Sequence, residues 1–184
     1  MGKIIASEFV SLDGVMEAPE TWHFPYLSDD MMAFNRAEIN ESAAFLLGRV
    51  TYDIFAGYWP TQTHNEDGIA DKLNSAPKFV VSSTLARADW HNSTLIKSNV
   101  MDEIAKLKRQ LNGSIGIAGS ATLVRSLLQA GLLDELHYLV HPIVVGHGGH
   151  LFEKGTASLP LKLIDTKTFS SGVVVLNYGP DKKA

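Results

Sequence analysis

The stretch "GIAGSATLVRSLLQAGLLDEL", residues 116–136, predicts a buried strand end, a tight turn and a helix with one apolar face. Behind the turn, apolar residues recur at helical spacing, at Leu123, Val124, Leu127 and Leu128. A glycine at position 131 is typical of the end of such a helix. The small residues 119–121 lie in the turn between the predicted strand and the predicted helix. They indicate either a tight connection or a place where a phosphate reaches a helix N-terminus.

Short apolar runs alternate with amphipathic segments on both sides of this stretch. The apolar runs predict strands at 4–10, 43–48, 78–83, 94–97, 114–118 and 136–146, and a closing hairpin from "LKLIDTKTF" and "VVVLNY" through residues 170–172. Helices are expected at 28–40, from residue 49, at 101–111 and after residue 120. We therefore expect one domain over 1–184. Its fold class is α/β, a three-layer αβα sandwich around a mixed, mostly parallel sheet of about eight strands with a C-terminal antiparallel hairpin.

Composition narrows the class of function. The chain of 184 residues carries a net charge of −4 and no dense basic run, which argues against a nucleic-acid partner. It contains no cysteine, which excludes disulfides, thiolate catalysis and cysteine-ligated metal. No apolar run approaches the length of a membrane span, and the N-terminus has no signal core. The expectation is a soluble cytoplasmic protein with a small-molecule substrate and no membrane partner.

Three predicted strand ends carry residues suited to anions. They are Gly48-Arg49-Val50-Thr51, Ser82-Ser83-Thr84 and Gly119-Ser120-Ala121-Thr122. Glycine lets an anion approach the backbone, arginine offers a forked cation, and small residues expose amides at a helix start. In open α/β sheets ligands bind beyond the carboxyl ends of the strands. A dinucleotide carries several phosphate groups and needs more than one anion-binding turn, so the three turns together favour a dinucleotide cofactor. The chain has no G-x-G-x-x-G motif.

Four motifs carry a family resemblance across nearly the whole chain. They are "SLDG" (11–14), "GRVTYD" (48–53), "KFVVSSTL" (78–85) and "GSATLVRSLLQAGLLDELHYLVHPIVVGHG" (119–148). In order and spacing they resemble the dihydrofolate reductase-like superfamily. More closely, the chain resembles the reductase domain of bifunctional riboflavin-biosynthesis deaminase–reductases, as a stand-alone member.

The resemblance implies a dihydrofolate reductase-like fold, NADPH as hydride donor and a homodimer. By position, Arg49 and Thr51, after Gly48, correspond to residues at the cofactor phosphates. Ser82 and Ser83 correspond to residues near the ribose 2′-phosphate. Gly119, Ser120 and Ala121, followed by Thr122, correspond to residues against the pyrophosphate. Loop 11–25 would close over the nicotinamide.

The chain departs from the riboflavin-pathway pattern on the substrate side. Ser7 stands where those reductases usually carry a lysine, and Ala118-Gly119-Ser120 stands in place of Glu-Gly-Gly. The prediction is therefore an NADPH-dependent reductase of a small heterocyclic or carbonyl compound. It resembles 5-amino-6-(5-phosphoribosylamino)uracil reductase without that substrate being assigned. The alternative is a non-catalytic homodimer that retains the fold and nucleotide binding.

Hydride transfer to C=N or C=O also needs a proton. The candidate donors are Asp13 in "SLDG" and Asp30 at a helix start, with Glu8 facing either a cavity or solvent. Each aspartate also has a structural interpretation, as a turn stabiliser and as a favourable charge at a helix N-terminus. Five aromatic residues are candidates for a flat slot for a ring or for core packing, namely Trp22, Phe24, Tyr26, Tyr58 and Trp59. Four histidines raise the alternative of a metal site, against solvent-facing positions: His137, His141, His147 and His150. No metal is predicted, because the two pairs lie on different elements.

Overall fold

A computed structural model, which describes residues 2–62 and 67–181, contains eight strands in one sheet. The strands are β1 (Lys3–Ser11), β2 (Ser42–Gly48), β3 (Lys78–Val81), β4 (Ser93–Ile96), β5 (Ser114–Ile117), β6 (Glu135–His141), β7 (Leu161–Thr168) and β8 (Val174–Pro180). The α-helices are α1 (Asp29–Glu41), α2 (Arg49–Tyr58), α3 (Ile69–Ser75), α4 (Val100–Gln110) and α5 (Ala121–Gln129). Within the described ranges, no helix has the length and apolar character needed to cross a membrane.

The sheet is mixed, in the order β4-β3-β2-β5-β1-β6-β8-β7. The six strands from β4 to β6 pair in parallel. β8 pairs antiparallel with β6, and β7 pairs antiparallel with β8. This confirms the predicted α/β fold class, including the antiparallel hairpin at the C-terminus. The parallel arrangement also brings six strand ends to one edge, where binding residues are expected.

Helices cover both faces of the sheet because the strands are apolar on both sides. In β2, Leu46 packs in a cluster with α4 and α5, whereas its neighbours Phe45 and Leu47 pack in a cluster with α2 and α3. Helix α1 lies on the same side as α2 and α3, where its Met31 contacts β6 and the C-terminal hairpin. The molecule therefore has the three layers that the alternation of elements predicts.

Three details differ from the sequence prediction. The strand expected at 136–146 ends at His141, because Pro142 has no N–H for the ladder and the Ile143 amide turns back to the His141 carbonyl. Helix α3 was not predicted, since its seven residues are too few to establish a helical period. Between β3 and β4 the chain crosses without a helix, so strands and helices do not alternate strictly there.

Candidate functional site

The three predicted anion-binding turns follow β3, β2 and β5, which are adjacent strands of the sheet. Two of these turns touch. A Cβ atom placed on Gly48 would lie 2.5 Å from the Ser120 hydroxyl oxygen, and one placed on Gly119 would lie 3.0 Å from the Thr51 hydroxyl oxygen. On the other side, Gly48 is the register partner of Val81, the last residue of β3. The structure therefore brings all three turns to neighbouring positions along one edge.

The turn after β5 exposes backbone amides at the start of α5. Gly119 has φ +82°, a conformation that side-chain-bearing residues rarely adopt, and its peptide bond to Ser120 is cis. Ser120 caps α5, and its hydroxyl accepts a hydrogen bond from the Leu123 amide at 3.4 Å. The amides of Ala121 and Thr122 belong to the first turn, where a helix offers no acceptor of its own. This turn is chemically suited to a phosphate.

Arg49 is the first residue of α2 and is exposed to solvent. Its guanidinium donates to Asp53 across one helical turn, with 3.0 Å between Nη1 and Oδ2. Exposed ion pairs of this kind contribute little to stability. The guanidinium can therefore exchange the aspartate for a phosphate at small cost.

The serines after β3 have different environments. Ser82 is buried, and its hydroxyl accepts hydrogen bonds from the amides of Thr84 at 3.2 Å and Leu85 at 3.0 Å. Ser82 thus shapes the turn. Ser83 and Thr84 are exposed at its tip, and the Thr84 hydroxyl lies 3.4 Å from that of Ser82.

The two candidate catalytic aspartates serve as acceptors for backbone and hydroxyl donors of the protein. The Ser11 hydroxyl and the amides of Val145 and Gly146 hold the pKa of Asp13 at about 2. Asp30 accepts hydrogen bonds from the Ser28 hydroxyl and from the amide and hydroxyl of Ser170. These bonds lower the pKa of Asp30 to about 2 as well. Both carboxyls are ionised at neutral pH, so neither has a proton to give.

Glu8 lies in the core behind the turn that follows β5. Its side chain is 4% exposed, and its Oε1 accepts a hydrogen bond from the Gly119 amide at 2.8 Å. Burial raises the pKa of Glu8 to about 8, against the opposing effect of the Gly119 hydrogen bond. Of the three carboxyl candidates, Glu8 is the one that keeps its proton at neutral pH. The alternation of buried residues at even positions in β1 was the available signal for this placement.

His141 is completely buried at the end of β6, contrary to a solvent-facing position. Its Nδ1 lies 3.0 Å from the Leu139 carbonyl oxygen and 3.2 Å from that of Val10, which places the ring proton on Nδ1. Its Nε2 has no hydrogen-bond partner among the described residues. Four aromatic rings lie 5.2 to 6.2 Å from the imidazole, those of Phe9, Trp22, His23 and Tyr26.

The five candidate slot residues do not form a single cluster. Trp22 and Tyr26 contact His141, whereas Tyr58 and Trp59 contact each other, with 5.0 Å between ring centroids. Phe24 is 59% exposed and stacks on His23. Loop residues 12–28 thus place two of the five aromatic rings near the carboxyl ends of β1 and β6.

His137 lies on the face of β6 that meets α1. Its ring contacts the carboxylates of Glu38 and Glu135, and Glu38 also accepts a hydrogen bond from the Ser7 hydroxyl at 2.8 Å. Among the residues that the structure describes, no group of three or more histidine or carboxylate side chains is arranged to hold a metal ion. The His137 contacts tie α1 to the sheet.

Comparison with known proteins matches residues 2–175 to the family of the RibD C-terminal domain. The protein YyaP of Bacillus subtilis (strain 168), described as uncharacterized, is 33% identical over 181 residues, which span 96% of this chain and 94% of YyaP.

Two solved structures have the same fold. A putative riboflavin biosynthesis protein from Shewanella sp. PV-4 superposes with a TM-score of 0.77 at 20% identity, over 99% of this chain and 100% of that one. Dihydrofolate reductase from Enterococcus faecalis, complexed with NADP(H), superposes with a TM-score of 0.64 at 17% identity, over 98% of each chain.

Proposed function

The chain belongs to the RibD C-terminal domain family, and we propose that it is an NADPH-dependent reductase that transfers hydride to a small heterocyclic or carbonyl compound. One observation carries the proposal: the turns after β3, β2 and β5 stand side by side, and two of them are in contact through Gly48 and Gly119. A dinucleotide presents several phosphates at once, and this edge offers several donors at once. The shared fold with a reductase complexed with NADP(H) supports the same proposal.

The residues present fit the cofactor, because side chains at Gly48 and Gly119 would fill the space between the turns. Gly119, Ser120, Ala121 and Thr122 would hold the pyrophosphate on the first amides of α5. Arg49 and Thr51 would bind a phosphate from α2, and the turn of Ser82 and Ser83 would receive the ribose 2′-phosphate. Bound NADPH supplies the hydride, and the chain binds and orients it.

On the substrate side, the aromatic rings around the buried His141 favour a planar acceptor beneath loop residues 12–28. The unpartnered Nε2 of His141 is a hydrogen-bond acceptor for an N–H or O–H of such a ring. Asp13 and Asp30 take positioning roles in this proposal. Asp13 fixes the loop against residues 145 and 146, and Asp30 fixes the start of α1 against residue 170.

A non-catalytic nucleotide-binding homodimer is the second candidate. Ser7, at the position where the resemblance leads one to expect a lysine, is favourable to it. Serine carries no charge, so this position offers no cation to a substrate. The Ser7 hydroxyl donates a hydrogen bond to Glu38. Turnover of any heterocyclic or carbonyl acceptor by the purified protein would exclude this candidate.

The proposal is tested by titrating the protein with NADPH and NADH, following nicotinamide fluorescence and tryptophan quenching. We expect saturable binding that favours NADPH, and roughly tenfold weaker binding in Arg49→Ala, as for the loss of one charge-assisted contact. Arg109→Ala is the matched control, since Arg109 is an exposed arginine in the last turn of α4. Absence of binding by either nucleotide, or equal effects of the two variants, would contradict the proposed site.

A further inference from the structure

Glu8 is a buried ionisable group that the proposed hydride transfer does not use. It lies on the β1 face that packs toward α5, between the buried residues Ala6 and Val10. Its contact with the Gly119 amide spans 111 positions of sequence and reaches the turn assigned to the pyrophosphate. We infer that Glu8 is a positioning residue whose hydrogen bond holds this turn in its phosphate-binding form, and that loss of the Glu8 proton weakens dinucleotide binding by placing a negative charge behind it. This inference rests on the proposed function.

The hydrogen bond gives Glu8 its positioning role. Because the Gly119 amide points to Glu8, it points away from the anion site, and the donors left for a phosphate are the amides that begin α5. Gly119 has a positive φ, and a Cβ atom added there would lie 3.0 Å from the Thr51 hydroxyl oxygen. Fixing its amide therefore also fixes the spacing between this turn and the start of α2.

The groups that face Glu8 from β6 and α5 do not offset a negative charge on its carboxylate. Tyr138 is its register partner on β6, and burial raises the pKa of that phenol, which is neutral at physiological pH. From α5, Arg125 donates to the carbonyls of His150 and Leu151 and pairs with Glu153. The cation of the facing helix is thus occupied elsewhere. An ionised Glu8 would place a weakly screened negative charge directly behind the pyrophosphate.

Protonation of Glu8 and binding of the dinucleotide are therefore linked. With a pKa near 8, Glu8 is neutral below pH 7 and ionised above pH 9. An anionic ligand favours the neutral form, so binding above pH 8 takes up a proton. If only the protonated form binds well, the Kd rises by roughly tenfold between pH 7 and pH 9.

The experiment measures the Kd of NADPH from pH 7 to pH 9.5 for the native protein, Glu8→Gln and Glu103→Gln. The ligand's 2′-phosphate, with a second pKa of about 6, is already about nine-tenths ionised at pH 7, so its own charge changes little over this range. Glu8→Gln keeps an acceptor for the Gly119 amide but carries no charge. Glu103→Gln is the control for loss of an exposed carboxylate on α4. Lys78, whose pKa burial lowers to about 8, titrates in all three proteins, so the comparison removes its contribution.

We expect the Kd to rise roughly tenfold by pH 9 in the native protein and Glu103→Gln, and to stay constant in Glu8→Gln. Calorimetry at pH 8.5 in two buffers of different ionisation enthalpy should detect proton uptake in the native protein and none in Glu8→Gln. Glu8→Ala, which loses the acceptor, should bind weakly at every pH. A flat native profile, or equal profiles for the native protein and Glu8→Gln, would overturn the inference. Failure of all four proteins to bind at pH 7 would instead contradict the proposed function.

Discussion

Gly119 combines two requirements at one residue, a positive φ and close contact with Thr51. Gly119→Ala should therefore weaken NADPH binding by roughly tenfold, because the added methyl group moves the turn against α2. Gly131→Ala is the control for backbone strain alone. Gly131 also has a positive φ, but a Cβ atom added there would meet nothing within 4 Å. Both variants should lose roughly 1–2 kcal/mol of stability, and only Gly119→Ala should lose affinity. Equal affinities in fluorescence titration would refute the close approach.

Glu8 also makes the stability of the fold depend on pH. Its folded-state pKa of about 8 lies above the ordinary value of 4.5, so the folded protein retains a proton that the unfolded chain releases. Stability therefore falls as the pH rises from 4.5 to 8. Glu8→Gln should melt higher than the native protein, with a difference that grows over this window to on the order of 10 °C. If the difference in melting temperature between Glu8→Gln and the native protein is the same at pH 5 and at pH 9, Glu8 has an ordinary pKa in the folded protein.

At the scale of elements, Asp30 joins the N-terminus of α1 to the closing hairpin. Its pKa of about 2 lies below the ordinary 3.8, so this stabilisation is present above pH 3.8 and is lost as the pH falls through 2. Asp30→Asn should lower the melting temperature by a few degrees at pH 7. The effect should be much smaller near pH 2, where about half of the carboxylate is protonated. Asp29→Asn is the matched control in the same helix turn, where the side chain is exposed. A loss of equal size in both variants would assign the effect to the helix dipole.

Elements that depend on residues close together in the sequence were predictable, and elements that depend on long-range contacts were not. The parallel strands β2, β3 and β5 are short apolar runs next to turn residues, so the positions of these strands and of the turns that follow them were predicted. The end of β6 was predicted wrongly because apolar residues continue past Pro142, whereas in the structure the amides of Val145 and Gly146 bond Asp13, 132 and 133 positions away in sequence. Helix α3 was not predicted, because it is short and its Leu73 packs in a cluster with β2, α2 and β3.

Within the candidate site, the same distinction separates the turns from the groups behind them. Gly48, Arg49 and Thr51 were recognisable as a local motif at a strand end. The contact of Glu8 with Gly119 and the burial of His141 arise from pairing of β1 with β5 and β6, which no local pattern records. The acceptor roles of Asp13 and Asp30 toward loop and hairpin donors also depend on tertiary contacts, and their part in catalysis stays a prediction.

In the assembled sheet, β7 is one of the two edge strands, and most of its residues are exposed. Leu163 and Ile164 on this strand are 47% and 54% exposed, which leaves apolar surface beside unpaired backbone groups. The homodimer implied by the family resemblance stays a prediction. Sedimentation velocity should give a mass near twice 20.1 kDa at micromolar concentration. A mass of one chain across the concentration range would contradict it.

In the proposed function, the three turns on adjacent strands form one dinucleotide site. Amide hydrogen exchange with and without saturating NADPH tests all three turns in a single measurement. We expect slower exchange together at residues 48–51, 82–85 and 119–123, with little change in β7. Protection confined to another surface, such as the cleft of about 750 Å³ between α2 and residues 85–91, would contradict the account. So would NADPH binding that leaves exchange at the turn after β5 unchanged.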